Sequence, residues 1–166
     1  RQLDDDNFYN ELVKLVDEFQ FPVSSIVLEI TEGTLMQDPD NALRMMTRLR
    51  ERGIHLALDD FGTGYSSLAY LKRFPLNTLK IDKAFIDDIA TSSVDRHMTA
   101  AIITIAHNLG LKVVAEGVEH EEQMSILRRY ECEMLQGYLY SKPLSSARFE
   151  RLLKENHQLN ELLQGS

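Results

Sequence analysis

Residues 54–64 read Ile-His-Leu-Ala-Leu-Asp-Asp-Phe-Gly-Thr-Gly, a short apolar run that ends in two adjacent carboxylates. Such an ending is energetically costly, because neighbouring like charges repel each other and each prefers water. A bound divalent cation removes this cost, since carboxylate oxygens are the ligands that Mg²⁺, Mn²⁺ and Ca²⁺ prefer. Asp59 and Asp60 are therefore candidate metal ligands. Helix capping or loop ordering is the alternative interpretation.

Four other short apolar runs each end in a charged or amide side chain, and segments with helical periodicity lie between the runs. The predicted strands cover residues 26–30, 54–58, 78–81, 112–115 and 134–140. Apolar residues at helical spacing predict helices over 8–19, 39–52, 95–109, 121–130 and 146–156, and a further helix through 68–71 that ends before Pro75. The order is thus a regular alternation of helices and strands, without a repeat or a low-complexity linker.

Alternating strands and helices with short connections predict an α/β fold with five parallel strands covered by helices. Ligand sites in such folds lie at the carboxyl ends of the strands. The residues at those ends are Glu29, Asp59, Asp60, Lys80, Glu116 and Gln136. Two architectures fit: a complete open sheet, or a piece of a larger barrel, which the start in mid-pattern at Arg1 also suggests.

Composition limits the kinds of partner. The 166 residues carry a net charge of −8, with 43% hydrophobic and 27% charged residues, as in a single soluble domain. This charge argues against a nucleic-acid polymer as partner, although a phosphate ligand bridged by metal ions is compatible with it. No apolar run reaches membrane-spanning length, so no membrane contact is predicted for this segment. The lone Cys132 suits a reducing, cytoplasmic location, and a membrane tether elsewhere in a longer parent is left open.

Five motifs together resemble the EAL-domain family of cyclic-di-GMP phosphodiesterases. They are Glu29-Ile30-Thr31-Glu32, Asp59-Asp60-Phe61-Gly62-Thr63-Gly64-Tyr65-Ser66-Ser67, Lys80-Ile81-Asp82, Glu116-Gly117-Val118-Glu119 and Gln136-Gly137-Tyr138, in the order and at the spacing of the family. The resemblance implies a modified TIM (β/α)8 barrel with one strand reversed. Its first three strands, with a glutamate and an asparagine that bind metal, are then expected upstream of Arg1. We expect an incomplete EAL domain at 1–156 and a C-terminal tail at 157–166.

The resemblance also implies the chemistry: hydrolysis of cyclic-di-GMP to the linear dinucleotide pGpG by two metal ions, Mg²⁺ or Mn²⁺. Two close metals can activate water, neutralise phosphoryl charge and assist the departing oxygen. The implied metal ligands are Glu29, Asp59, Asp60 and Glu116. Glu116 is assigned to the second metal or to general-base work, and an ion pair with Lys80 is its structural alternative.

Further residues have expected roles, each beside a simpler alternative, and the role of Glu32 is the one that the resemblance implies. Lys80 is expected to contact the nucleophilic water or a phosphate oxygen, although it can also point outward or pair with an acid. Asp82 either orders the following turn or touches substrate. Glu32 is expected to steady the loop after the paired aspartates, with a favourable place at a helix start as its alternative. Helix capping is the simplest interpretation of Glu119.

The remaining candidates lie in two loops. The loop after the paired aspartates contains Gly62, Thr63, Gly64, Tyr65 and Ser66, whose small residues favour mobility and turns.

The substrate-binding candidates are Gln136, Gly137 and Pro143. The amide of Gln136 is expected to reach guanine or a metal-bound water, and Gly137 permits the close approach of a ligand or of backbone. Pro143 either borders the guanine pocket or is a simple loop proline.

Three functional hypotheses remain at this point. The chain belongs to a phosphodiesterase that forms a homodimer through the helix beside the 62–67 loop, to a sensor module that binds cyclic-di-GMP without cleaving it, or to a fragment that is inactive in isolation. Sensor modules of this family lose metal ligands or the lysine, whereas every visible motif is intact here. The enzyme is therefore the favoured hypothesis.

Overall fold

Helices and strands alternate along the chain in a computed structural model that describes residues 6–62 and 68–164, with side chains described for 7–62 and 68–155. The elements are α1 (Asp6–Phe19), a 3₁₀ turn (Val23–Ser25), β1 (Val27–Thr31), α2 (Glu32–Gln37), α3 (Pro39–Glu51), β2 (His55–Phe61), α4 (Leu68–Leu71), β3 (Thr78–Ile81), α5 (Lys83–Ile86), α6 (Ser93–Asn108), β4 (Lys112–Ala115), α7 (Glu121–Arg129), β5 (Met134–Leu135) and α8 (Ser146–Gln164). No helix in the described ranges has the length and apolarity needed to cross a bilayer.

The five strands form one sheet in which every neighbouring pair is parallel. This confirms the predicted five parallel strands. Their order across the sheet, β1-β2-β3-β4-β5, follows their order in the chain. Doubly wound open sheets reverse their strand order at a switch point, whereas the strands of a barrel follow one another around the axis. The sheet order therefore favours a segment of a barrel over a complete open sheet.

Apolar side chains cover both faces of the sheet. Leu56, Ala57 and Leu58 are successive residues of β2, so they point to alternate faces, yet each is at most 1% exposed. Met46 of α3 and Ile103 of α6 belong to the same apolar cluster as the strand residues. Full burial of one such side chain stabilises the fold by about 1.5–3 kcal/mol. The strands are therefore held rigidly, which fixes the positions of the residues at their ends.

Helix caps explain why the predicted helices begin where they do. Asp38 accepts a hydrogen bond from the backbone N–H of Asn41 at 3.1 Å, and Pro39 is the first residue of α3. Ser92 accepts from the N–H of Asp95 at 3.2 Å and caps α6. The helix predicted over 146–156 continues to Gln164. The division into a domain at 1–156 and a tail at 157–166 stays a prediction.

The strand predicted over 134–140 is wrong beyond Leu135. The N–H of Gln136 still donates to Ala115 at 2.9 Å, but the chain then turns around Val118. The N–H of Val118 donates to the carbonyl of Gln136 at 3.0 Å, and the N–H of Leu139 donates to the carbonyl of Val118 at 3.0 Å. These bonds bring residues 136–139 around the segment after β4, so the strand cannot continue.

Polar side chains complete the hydrogen bonding at the amino ends of the strands. Asn77 accepts a hydrogen bond from the N–H of Leu56 at 2.9 Å. Glu133 accepts from the N–H of Val113 at 2.9 Å and pairs with His107 at 3.2 Å. Burial alone raises the pKa of Glu133, but these hydrogen bonds outweigh it and lower the pKa below its usual value. This end of the sheet thus uses its polar groups to satisfy the backbone.

Candidate metal and active site

The centre of the site is the ammonium group of Lys80, on β3. The residue is only 5% exposed. Its Nζ lies 2.8 Å from Glu29 of β1, 2.9 Å from Asp59 of β2 and 2.7 Å from Glu116, which follows β4. Parallel strands have their carboxyl ends at the same edge of a sheet, and this is why the four side chains converge. Of the alternatives for Lys80, pairing with acids is the one that the structure contains.

The carboxylates keep Lys80 charged. Burial alone lowers the pKa of a lysine, because it disfavours the charged form. Hydrogen bonds to Glu116, Glu29 and Asp59 outweigh burial here and raise the pKa of Lys80 above its usual value. Lys80 is therefore a hydrogen-bond donor and a fixed positive charge at neutral pH, not a base.

The paired aspartates face the same region only because β2 is irregular at its end. Adjacent residues of a regular strand point to opposite faces. The pairing of β2 with β3 shifts register between Leu58 and Phe61, and Asp60 has a φ of 54°, in the left-handed region. A non-glycine residue in this conformation costs about 1 kcal/mol. Carboxylate oxygens of Asp59, Asp60 and Glu116 consequently lie within 4.8 Å of one another.

These three carboxylates fit a hard divalent cation. Their donor atoms are all oxygens, as Mg²⁺, Mn²⁺ and Ca²⁺ require. Burial, and then repulsion from Asp59 and from Asp82, raises the pKa of Asp60. A cation among the oxygens would cancel that repulsion. Glu29 does not belong to this group of three carboxylates. Its half-exposed side chain pairs with Lys80, which also contacts Asp59 and Glu116.

Asp82 orders the turn that follows β3. Its Oδ1 accepts a hydrogen bond from the N–H of Ala84 at 2.8 Å and caps α5. The turn-ordering interpretation therefore holds in the structure. Contact of Asp82 with substrate stays a prediction.

Glu32 connects α2 to the start of the loop after the paired aspartates. The residue is 2% exposed, and its Oε2 accepts a hydrogen bond from the N–H of Gly62 at 3.4 Å. Gly62 has a φ of 99°, and a Cβ there would lie 2.7 Å from the ring of Phe85, so only glycine fits. Thr63, Gly64, Tyr65 and Ser66 lie outside the described residues.

A cavity of about 590 Å³ opens beside Glu116. Gln136, Gly137 and Pro143 line it, and Asp82 is not among its lining residues. Of the two explanations for Gly137, close approach of backbone is the one observed, because a Cβ would lie 2.1 Å from the carbonyl oxygen of Val118. Of the acidic cluster, Glu116 lines the cavity together with these predicted substrate contacts.

Sequence reasoning missed two residues next to the cluster, Lys83 and Gln123. Lys83 pairs with Glu119 at 2.8 Å. Glu119 is not the cap of α7, because His120 occupies that position. Gln123 is 2% exposed and forms a capping box with His120. The spacing of His120 and Gln123 was a usable sequence signal for the start of α7. The pairing of Lys83 with Glu119 joins residues 36 positions apart, so no local sequence pattern indicates it.

The fold and the site define the class: a parallel α/β barrel segment whose strand ends carry a buried lysine and carboxylates that fit a metal ion. The chain belongs to the EAL domain family, whose profile matches residues 1–143. It is 53% identical over 127 residues to the cyclic di-GMP phosphodiesterase NbdA of Pseudomonas aeruginosa, which is 76% of this chain and 16% of that protein.

Solved structures of the family superpose closely on the chain. The PaMucR phosphodiesterase in complex with c-di-GMP has a TM-score of 0.86 and 39% identity, over 89% of this chain and 60% of that one. BlrP1 of Klebsiella pneumoniae, in a complex with manganese and cyclic di-GMP, has a TM-score of 0.79 and 30% identity, over 86% of this chain and 36% of that one. The chain therefore spans only part of the length of the relatives it matches.

Proposed function

We propose that this chain carries the catalytic site of a metal-dependent phosphodiesterase that hydrolyses cyclic di-GMP to the linear dinucleotide pGpG. One observation carries the proposal: a charged, buried Lys80 lies among strand-end carboxylates, three of which fit a divalent cation. The names of NbdA and PaMucR support the substrate and the reaction.

Asp59, Asp60 and Glu116 would hold the metal, with Glu29 as a further ligand, and we propose two ions, Mg²⁺ or Mn²⁺. Bound divalent cations would supply acidification of water and neutralisation of the phosphoryl charge. The manganese complex of BlrP1 supports Mn²⁺ as one suitable ion.

Lys80 and Glu116 are the two groups of the chain that we propose for the reaction itself. The charge on Lys80 stabilises the negative charge that develops on the phosphoryl oxygens. Glu116 lies both at Lys80 and on the cavity wall, where its carboxylate can accept a proton from the attacking water. The water oxygen forms the new bond to phosphorus as one of its protons passes to Glu116, the bond from phosphorus to the 3′ oxygen breaks, and the 3′ oxygen takes up a proton from solvent and leaves as a hydroxyl.

The cavity beside Glu116 is the proposed binding place of the nucleotide. The Gln136 amide offers both a donor and an acceptor to a guanine edge, and Pro143 offers apolar contact. We propose that Asp82 touches the substrate from outside this cavity. Glu32 would steady the 62–66 loop through its contact with Gly62.

We propose a homodimer through α4, beside the 62–67 loop, where the apolar side chain of Leu68 is 52% exposed. The single cysteine, buried and unpaired, suits a reducing, cytoplasmic location. A net charge of −8 supports neither a nucleic-acid polymer nor an anionic membrane as partner.

Incubation of the full-length protein with cyclic di-GMP and Mg²⁺ or Mn²⁺, followed by chromatography, tests the proposal. We expect pGpG from the wild type, and a rate at least about 100-fold lower for Asp59→Asn and Glu116→Gln, since each removes a metal ligand or a proton acceptor. Lys154→Met, which breaks an exposed ion pair with Glu150 on α8, is the control and should cleave normally.

Two other results would contradict the proposed phosphodiesterase. Binding of cyclic di-GMP without cleavage by the wild type would identify a sensor module instead. Undiminished cleavage by Asp59→Asn or Glu116→Gln would show that the reaction takes place elsewhere.

A further inference from the structure

Two segments at the site are tied together by side chains that the proposed reaction does not use. One segment comprises α5 and the residue that follows it, Asp87. This segment comes after β3, the strand that carries Lys80. The other comprises residues 116–120, which we call the Glu116 loop. Nζ of Lys83 lies 2.8 Å from Oε1 of Glu119 in this loop and 2.6 Å from Oδ1 of Asp87.

The buried amide of Gln123 makes a second tie between the same segments. Its Oε1 accepts hydrogen bonds from the N–H groups of Glu119 at 2.8 Å and His120 at 2.9 Å. Its Nε2 donates to the carbonyl of Ile86 at 3.0 Å. The amide thus fixes the far end of the Glu116 loop to the end of α5.

The near end of the loop lies under the aliphatic part of Lys83. Gly117 has a φ of 69°, and a Cβ there would lie 2.3 Å from Cγ of Lys83. On its other side the loop is held by the bond from the N–H of Val118 to Gln136. Lys83 therefore packs on Gly117, the residue directly after Glu116, and its ammonium group also pairs with Glu119 in the same loop.

We propose that Lys83 is a positioning residue for Glu116. Through its ion pair with Glu119 and its packing on Gly117, it holds the Glu116 loop so that the Glu116 carboxylate stays beside Asp59 and Asp60. The inference rests on the proposed function, because it concerns the affinity of that cluster for a divalent cation. Groups that orient metal ligands contribute measurably to metal affinity without touching the metal.

The test is Mn²⁺ binding to the full-length protein, measured by isothermal titration calorimetry without nucleotide. We expect Lys83→Met, which keeps an aliphatic stem but loses the charge, to bind Mn²⁺ about tenfold more weakly, the low end for loss of an orienting group. Lys83→Arg should bind as the wild type does. The Mn²⁺ concentration for half-maximal cleavage should rise by the same factor in Lys83→Met.

Matched variants separate the pair with Glu119 from other effects of the substitution. Glu119→Gln breaks the same pair from the other side and should weaken Mn²⁺ binding as much, and the double variant Lys83→Met/Glu119→Gln should be no weaker than either single one. Asp87→Asn removes only the other partner of Lys83 and should bind nearly normally. Lys154→Met breaks a comparable exposed pair on α8 and should not change binding.

Wild-type affinity in Lys83→Met, or an equal loss in Asp87→Asn, would overturn the positioning role. A wild type that binds Mn²⁺ but cleaves nothing, together with weaker binding by Lys83→Met, would support the positioning role and overturn the proposed function. A wild type that binds no Mn²⁺ would overturn both.

Discussion

The two ends of the same sheet use polar side chains in opposite ways. At the amino ends, Asn77 and Glu133 accept hydrogen bonds from strand N–H groups that have no strand partner there. At the carboxyl ends, Glu29, Asp59 and Glu116 face one another around a single lysine. The first arrangement satisfies the backbone, and the second gathers like charges.

The pKa shifts show the difference. The pKa of Glu133 is lowered, so its ionised form is favoured by folding, whereas the pKa of Asp60 is raised, so its ionised form is disfavoured. Ionised Glu133 therefore stabilises the protein at neutral pH, whereas the charge on Asp60 destabilises its own end of the sheet, where the ion pairs of Lys80 oppose that loss. Such a local loss of stability is typical of functional sites.

Lys80→Met should give the largest effect on this contrast. The substitution removes the ammonium group that pairs with three carboxylates. We therefore expect the free energy of unfolding of the metal-free protein to fall by about 3 kcal/mol. This is the low end for breaking a buried ion pair, because Glu29 is half exposed. Urea unfolding measures the loss, and added Mn²⁺ should recover part of it. The cleavage rate at saturating Mn²⁺ should still fall at least about 100-fold, because a donor to the phosphoryl oxygens is lost.

An unchanged free energy of unfolding in metal-free Lys80→Met would mean that the carboxylates do not repel one another appreciably. Lys154→Met, in an exposed pair, is the control and should change stability by less than about 1 kcal/mol.

Glu133→Ala should destabilise the protein without harming the site. The N–H of Val113 loses its acceptor, which costs about 1 kcal/mol, while Mn²⁺ affinity and cleavage rate stay at the wild-type values. Glu133→Gln keeps an acceptor oxygen and should lose less. Because the folded pKa is lowered, the contribution of Glu133 is present above its unfolded pKa of about 4.5 and disappears as the pH falls through the folded pKa. A drop in Mn²⁺ affinity would show that the two ends of the sheet are coupled.

Asp60→Asn should give the smallest effect, and one of opposite sign. The raised folded pKa of Asp60 means that the ionised carboxylate destabilises the metal-free protein above that pKa. The amide that replaces the carboxylate carries no charge, so metal-free Asp60→Asn should be more stable than the wild type at pH 7, by less than about 1 kcal/mol. The gain should shrink as the pH falls towards 3.8, the unshifted value.

Thermal unfolding over a range of pH, with and without Mn²⁺, checks this expectation. With Mn²⁺ the sign should reverse, because a proposed ligand is missing. A metal-free variant that is less stable than the wild type at pH 7 would show that the turn at Asp60 needs the carboxylate more than repulsion disfavours it.

Most elements were predictable because their signals are local. Periodic apolar residues gave β3 and β4 at their observed bounds, and Asp38-Pro39 gave the start of α3. The strand over 134–140 was wrong because its apolar residues also fit a turn around Val118, which depends on β4. The bounds of the short helices α2 and α5 were not predicted, since four to six residues show too little periodicity, although the alternative for Glu32 placed it at a helix start.

The sequence by itself determined which charged residues stand at the ends of parallel strands, and therefore that Glu29, Lys80 and Glu116 share one edge. It did so because strand alternation and helix period are properties of neighbouring residues. Only the tertiary structure decided that Asp60 turns to the same side as Asp59, that Lys80 contacts three carboxylates, and that Lys83 reaches Glu119. Those contacts depend on strand register and on residues far apart in the chain, which no local pattern encodes.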